Sequence, residues 1–190
     1  MGFSKSKRMA FPCVSILPLL LLLLITPFSS SLSTSERVTF QLLNQLCSTP
    51  TIRKHFCITW LTDDPMTFRS DVNGLLSLVF QKTLSFGYKN QRMMLGLART
   101  TSDPTLKIPY NSCLNYYDLA TKSIDEAIEF SISKEYELAS QVAARAFLSV
   151  TSCEAILEGR KNVPSYVPLR NMRFKRMLHI GRVFSDVLRS

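Results

Sequence analysis

Leu106, Tyr110, Cys113, Tyr117, Ala120, Ile124, Ala127 and Ser131 follow one another at steps of three or four residues, the spacing that lines one face of an α-helix. Asp103 followed by Pro104 supplies a capping side chain and a first-turn proline. Pro109 predicts an irregular turn, with the regular helix starting at Tyr110. A second stripe, Ala139, Ala143, Ala146, Val150, Cys153 and Leu157, begins just beyond Ser131-Ile132-Ser133-Lys134, and Gly159 closes it as a C-terminal cap. Helices joined by so short a turn lie antiparallel.

The rest of the chain has the same period. Residues 38–46 and 52–61 are two short apolar-striped segments broken at Thr49-Pro50-Thr51. A longer segment, expected to start at Asp64-Pro65 and to reach about Arg99, carries Val72, Leu76, Val79, Thr83, Phe86, Met94 and Leu97, with Asn90 as a polar core residue and a kink expected near Gly87. Met177, Ile180, Phe184 and Val187 mark a last helix after a linker containing Pro164 and Pro168. No segment alternates with period two. The pattern predicts an all-α fold, an up-and-down four-helix bundle with an N-terminal helical hairpin.

Ahead of these elements lie Lys5, Lys7 and Arg8, a run of leucine over positions 19–24, and then Ser29, Ser30, Ser31 and Ser33. That order is the layout of a secretory signal peptide. The apolar core is interrupted by Pro18 and is shorter than the roughly 18 to 20 residues that cross a membrane. The expected division is a leader over 1–33, cut between residues 31 and 35, and one domain over 34–190, with no stable membrane insertion after cleavage. Export exposes the chain to oxidising conditions, in which cysteines pair. Cys13 leaves with the leader, and Cys47, Cys57, Cys113 and Cys153 remain. Cys113 and Cys153 stand equally far from the turn near residue 133, both in apolar stripes, and Cys47 and Cys57 flank the break near residue 52 in the same way. The symmetry predicts Cys47–Cys57 and Cys113–Cys153, each contributing about 3 to 4 kcal/mol in the loop-entropy account.

Chemistry enters mostly as exclusion. His55 and His179 are the only histidines, and neither they nor the cysteines have zinc-ligand spacing. No nucleophile elbow, H-E-x-x-H or phosphate-cradling loop occurs. The pairs Asp63-Asp64, Asp125-Glu126 and Glu135-Glu137 read as a cap and as solvated helix surface. No catalytic, metal or cofactor site is expected. Charge says more. Without Lys5, Lys7 and Arg8 the chain has 20 basic against 14 acidic residues. From Arg160 onward eight cations face Asp186 alone. Arg173, Lys175 and Arg176 are the candidate contacts for a polyanion, with de-esterified pectin the expected partner and nucleic acid excluded by the secretory route.

Cys47-Ser-Thr and Cys57, Asp63-Asp64-Pro65, Cys113-Leu-Asn-Tyr-Tyr-Asp-Leu-Ala and Ser149-Val-Thr-Ser-Cys153-Glu-Ala, in this order, resemble the plant invertase and pectin methylesterase inhibitor family from about residue 40 to the end. The resemblance implies a secreted stoichiometric inhibitor that is not itself an enzyme, forming a 1:1 complex with acid invertase or pectin methylesterase in the apoplast and cell wall, the vacuole being the alternative. Glu126-Ala-Ile-Glu-Phe-Ser-Ile-Ser-Lys134-Glu-Tyr136 is similar to the invertase-inhibitor branch. The tryptophan block typical of pectin methylesterase inhibitors is replaced by Ala143-Ala-Arg-Ala-Phe-Leu-Ser. The Pro-Lys-Phe motif of invertase inhibitors is also absent, and Ser133-Lys134-Glu135-Tyr136 stands in its place. Lys134, Glu135 and Tyr136 are therefore the expected target contacts. The reading from another class is a pectin-binding or structural wall protein that keeps the bundle without inhibition.

Overall fold

A computed structural model describes residues 36–190. The expected leader and its cleavage site lie outside them. Among the described residues there are six helices: α1 (Phe40–Cys47), α2 (Lys54–Thr62), α3 (Val72–Thr100), α4 (Pro104–Ile132), α5 (Tyr136–Leu157) and α6 (Tyr166–Arg189). An isolated antiparallel bridge between Arg37 and Asp71 brings the segment before α1 to the start of α3. Helix α3 packs on α4, α4 on α5, α5 on α6, and α6 returns to α3. The four long helices thus form the up-and-down bundle, with α1 and α2 as the hairpin. No described helix is long and apolar enough to cross a membrane.

Caps explain where the helices start. The Thr39 hydroxyl accepts from the Leu42 amide at 3.2 Å, Asp71 from Gly74 at 2.7 Å and Asp103 from Thr105 at 2.9 Å, each satisfying an amide that has no partner in the first turn. The start expected at Asp64-Pro65 is corrected to Val72. The buried Thr67 hydroxyl donates to the Leu61 carbonyl at 2.6 Å and fixes a turn between α2 and α3. Asp64 accepts from the Met66 amide and pairs with Lys82 at 2.9 Å instead of capping a helix.

Two prolines expected outside regular helix lie within it. Pro109 sits inside α4 without ending it. Its missing N–H leaves the Thr105 carbonyl without its helical donor, and Arg160 Nη1 lies 3.4 Å from that oxygen. Pro168 falls in the first turn of α6, where an amide has no helical acceptor in any case. Gly159 takes φ +70° just past α5, as a C-terminal cap does.

The predicted stripes of α4 and α5 are buried along their whole length. Cys113 and Cys153 join across them (Cα–Cα 4.6 Å), and Cys47 joins Cys57 within the hairpin (Cα–Cα 5.7 Å). One helical step beyond Cys113, the buried Tyr117 hydroxyl donates to Asn171 Oδ1 and ties α4 to α6. The α3–α6 seam differs from expectation at Phe86, Leu97 and Val187, which are only partly buried. Helix α3 continues through Gly87, and Gly87 is buried while Phe86 is half-exposed. A Cβ at Gly87 would stand 2.9 Å from Phe174 Cζ, and one at Gly181 would stand 2.5 Å from Phe80 Cε1. Each helix therefore sets a phenyl ring into a glycine notch of the other, seven residues apart on both, which matches antiparallel packing.

Gly181→Ala should destabilise by about 1–3 kcal/mol through overpacking despite alanine's better helix propensity. Gly96→Ala, with nothing within 4 Å of the added methyl, should stabilise by up to about 1 kcal/mol. Chemical denaturation of the two variants checks the opposite signs. Replacing Cys113 and Cys153 together by alanine should cost about 4 kcal/mol, read as a melting point lower by roughly 10 °C.

Candidate functional site

Helix α4 ends at Ile132, and three residues turn the chain into α5. The Ser133 amide donates to the Glu129 carbonyl at 3.0 Å and the Glu135 amide to the Phe130 carbonyl at 2.9 Å. Closing the turn this way puts Lys134 at φ 61°, in the left-handed region, a conformation that costs a residue with a Cβ roughly 1–2 kcal/mol. Lys134 is exposed and has no ion-pair partner among the described residues. Ile132 is 63% exposed and Leu138 39% exposed, so exposed apolar side chains precede and follow Lys134 along the chain at this turn. The C-terminal end of α6 borders the turn with Leu188 and with Arg189, which pairs with Glu137 at 3.7 Å.

Of the three expected target contacts, Lys134 and Glu135 are exposed, and Tyr136 is not free. Tyr136 is half-buried against the core, and its hydroxyl donates to Asn73 Oδ1 at 3.3 Å. Burial, with the Asp71 charge second, pushes its phenol above the ordinary range. The sequence contains the reason: Tyr136 stands three residues before Ala139 and so falls on the α5 stripe. The same stripe analysis could have found Ile132 and Leu138, which flank the buried Ser131 and Ala139 and fall off the seams.

Of Arg173, Lys175 and Arg176, the first and last line one groove beside α2, and Lys175 is turned to another neighbour. Arg173 is exposed, with its guanidinium 5.4 Å from the Phe86 ring of α3. Lys175 is paired with Glu154 of α5 and lies over Phe147. Arg176 lies over Phe56 of α2 at 5.8 Å. At 100° per residue a helix sends positions 173 and 175 to different neighbours. Asn90 is fully buried; its Oδ1 accepts from Arg170 Nε at 2.7 Å, and its Nδ2 has no protein partner. His55 is exposed on α2, and His179 borders a groove with Phe56, Phe147 and Arg176.

Residues 41–183, which include both bridges, the Lys134 turn and most of α6, match the family described as plant invertase/pectin methylesterase inhibitor. The chain belongs to that family. Members of the plant invertase/pectin methylesterase inhibitor family are inhibitory proteins and not enzymes. The chain is similar to a pectinesterase inhibitor of Actinidia deliciosa, 27% identical over 95% of this chain and 98% of that one. It is similar also to a cell wall / vacuolar inhibitor of fructosidase of Arabidopsis thaliana, 28% identical over 92% and 96%. A solved pectin methylesterase inhibitor from Arabidopsis, in a mutant form, superposes with a TM-score of 0.66 over 72% of this chain and 90% of its own at 20% identity, which shows the shared fold.

Burial, aided by the Arg182 charge, pushes the His179 imidazole below its ordinary 6.5, while the Thr51 backbone and Asp186 oppose the shift. The folded state thus favours neutral imidazole. Its contribution is full above about pH 6.5 and is lost as pH falls through the lowered folded value. The melting temperature should decline between pH 7 and pH 5, and His179→Gln should remove part of that decline; an identical decline in the variant would exclude His179 as its source.

Proposed function

We propose that the chain is a secreted proteinaceous inhibitor of acid invertase, acting one to one in the cell wall or vacuole and meeting the enzyme through the α4–α5 turn. The observation that carries this reading is the exposed, unpaired Lys134, held at φ 61° in a turn on either side of which Ile132 and Leu138 are also exposed. The backbone hydrogen bonds Glu135 N–H to Phe130 O and Lys134 N–H to Ser131 O hold this left-handed turn in place, so the lysine is presented from a fixed backbone and less ordering entropy is lost on binding. Glycosidase clefts hold paired carboxylates, and a protruding ammonium complements them. The flanking apolar side chains then lose their exposure to water. Glu135 would meet the same carboxylates unfavourably. Its position at the N-terminus of α5 offsets that charge in part.

Membership is supported equally by relatives named for pectinesterase and for fructosidase inhibition. A second reading therefore has its own support: pectin methylesterase, engaged through the long faces of the bundle. Ile108, Leu119 and Leu148 are 76%, 52% and 65% exposed on α4 and α5, away from the turn, and offer an apolar contact there.

Titration of the purified protein against both enzymes decides between them, with saturation near equimolar ratio expected for invertase. Lys134→Gly removes the ammonium and relaxes the left-handed backbone. It should raise stability by up to about 1 kcal/mol while weakening invertase inhibition about tenfold or more. If Lys134→Gly inhibits as well as the parent, the contact lies on the bundle faces.

A further inference from the structure

The second half of α3 and the first half of α6 enclose an open groove whose charged lining is entirely cationic. Lys89 and Arg92 come from α3, and Arg170 and Arg173 from α6. About eighty residues of sequence separate the two pairs. Each pair is spaced i, i+3, so each forms a row along its helix. Lys89, Arg92 and Arg173 are exposed, and none takes part in an ion pair among the described residues.

Some of the other long cationic side chains are neutralised locally. Lys82, Lys122, Arg145, Lys175 and Arg189 each have an acidic partner, on Asp64, Asp118, Glu126, Glu154 and Glu137. In the groove four like charges are gathered with no carboxylate among the lining residues, an arrangement that disfavours the unliganded fold. The two α6 charges are also held in place. Arg170 Nε donates to the buried Asn90 Oδ1 at 2.7 Å, and the Arg170 and Arg173 guanidiniums lie 4.9 and 5.4 Å from the Phe86 ring centre. Tyr166 and Leu169, 46% and 60% exposed, supply an apolar floor at the α6 end.

We propose that this groove is a binding site for a linear polyuronate, the chain of carboxylated sugars that de-esterified pectin presents. Two rows of cations along antiparallel helices suit a linear polymer lying between them with carboxylates at regular intervals. Guanidinium groups match carboxylates in a fork-to-fork geometry. The apolar floor takes the C–H faces of sugar rings, as amphipathic aromatic side chains do. The site draws only one residue, Arg173, from the basic cluster that the sequence suggested. Nor does it depend on which enzyme the protein inhibits: Lys89 is sixteen residues beyond Asn73, which holds Tyr136 of the turn, about 24 Å along α3 at 1.5 Å per residue.

Retention of the secreted protein on immobilised polygalacturonate tests the site, with fully methyl-esterified pectin and poly-glutamate as comparison matrices. The parent should bind polygalacturonate, release with rising salt, pass through the esterified polymer and bind poly-glutamate less tightly. Combining Lys89→Gln, Arg92→Gln and Arg173→Gln should weaken polygalacturonate binding about tenfold or more, whereas Lys54→Gln, Lys107→Gln and Lys161→Gln together, with the same loss of charge, should change it less than about twofold. Both triple variants should melt and inhibit like the parent. Equal weakening by the two triples means diffuse charge and overturns the site. So does absence of retention, or equal binding to poly-glutamate, which would remove the sugar from the recognition.

Discussion

The covalent contact between α4 and α5 at Cys113–Cys153 sets the register on which the bundle depends. Both sulfurs are fully buried, and the stripes on either side are rich in small side chains, Ala120 and Ala127 facing Ala139, Ala143 and Ala146. Small residues let two backbones approach closely, and close approach fixes which turn of one helix meets which turn of the other. From that register Tyr117 reaches Asn171 and brings in α6. Helix α6 then closes on α3 through the paired phenyl-in-glycine contacts, Phe80 against Gly181 and Phe174 against Gly87. A shift of α5 along α4 would misplace Asn171 relative to Tyr117 and leave a buried phenol without its acceptor, which is costly.

Most of this was legible in the chain because the information is periodic. The stripes on α4 and α5 fall where the three-and-four spacing puts them, and the symmetry of the cysteines about the turns follows from antiparallel packing. Local chemistry that depends on distant partners was not legible. Pro109 stays within α4 beside an arginine fifty-one residues later. Gly87 displaces Phe86 from the seam because Phe174 occupies that space. The start of α3 moved to Val72 because Thr67 fixes the preceding turn onto Leu61.

The candidate site was legible in part for the same reason. Lys134 and Glu135 fall between stripes and are exposed, as expected of a turn. Tyr136 looked available in the linear motif, yet it belongs to the α5 stripe and to Asn73. The basic C-terminal segment shows the opposite effect: Lys175 is turned away to Glu154, and Arg173 is joined to Lys89 and Arg92, which nothing in their own neighbourhood singles out. A charge cluster in sequence becomes a patch only when it recurs at helical spacing on a face that a neighbouring helix completes.

The position of the Lys134 turn relative to the bridge has a consequence for durability. An exposed turn carrying a lysine is an evident point of attack for a protease. Cys113 and Cys153 lie twenty and nineteen residues to either side of Ser133 and Lys134, respectively, deep in the packed stripes. A chain cut at the turn is therefore still one covalent molecule, with both new ends held beside one another by the intact α4–α5 pair. Scission at this place divides the polypeptide without dispersing the structure that presents it.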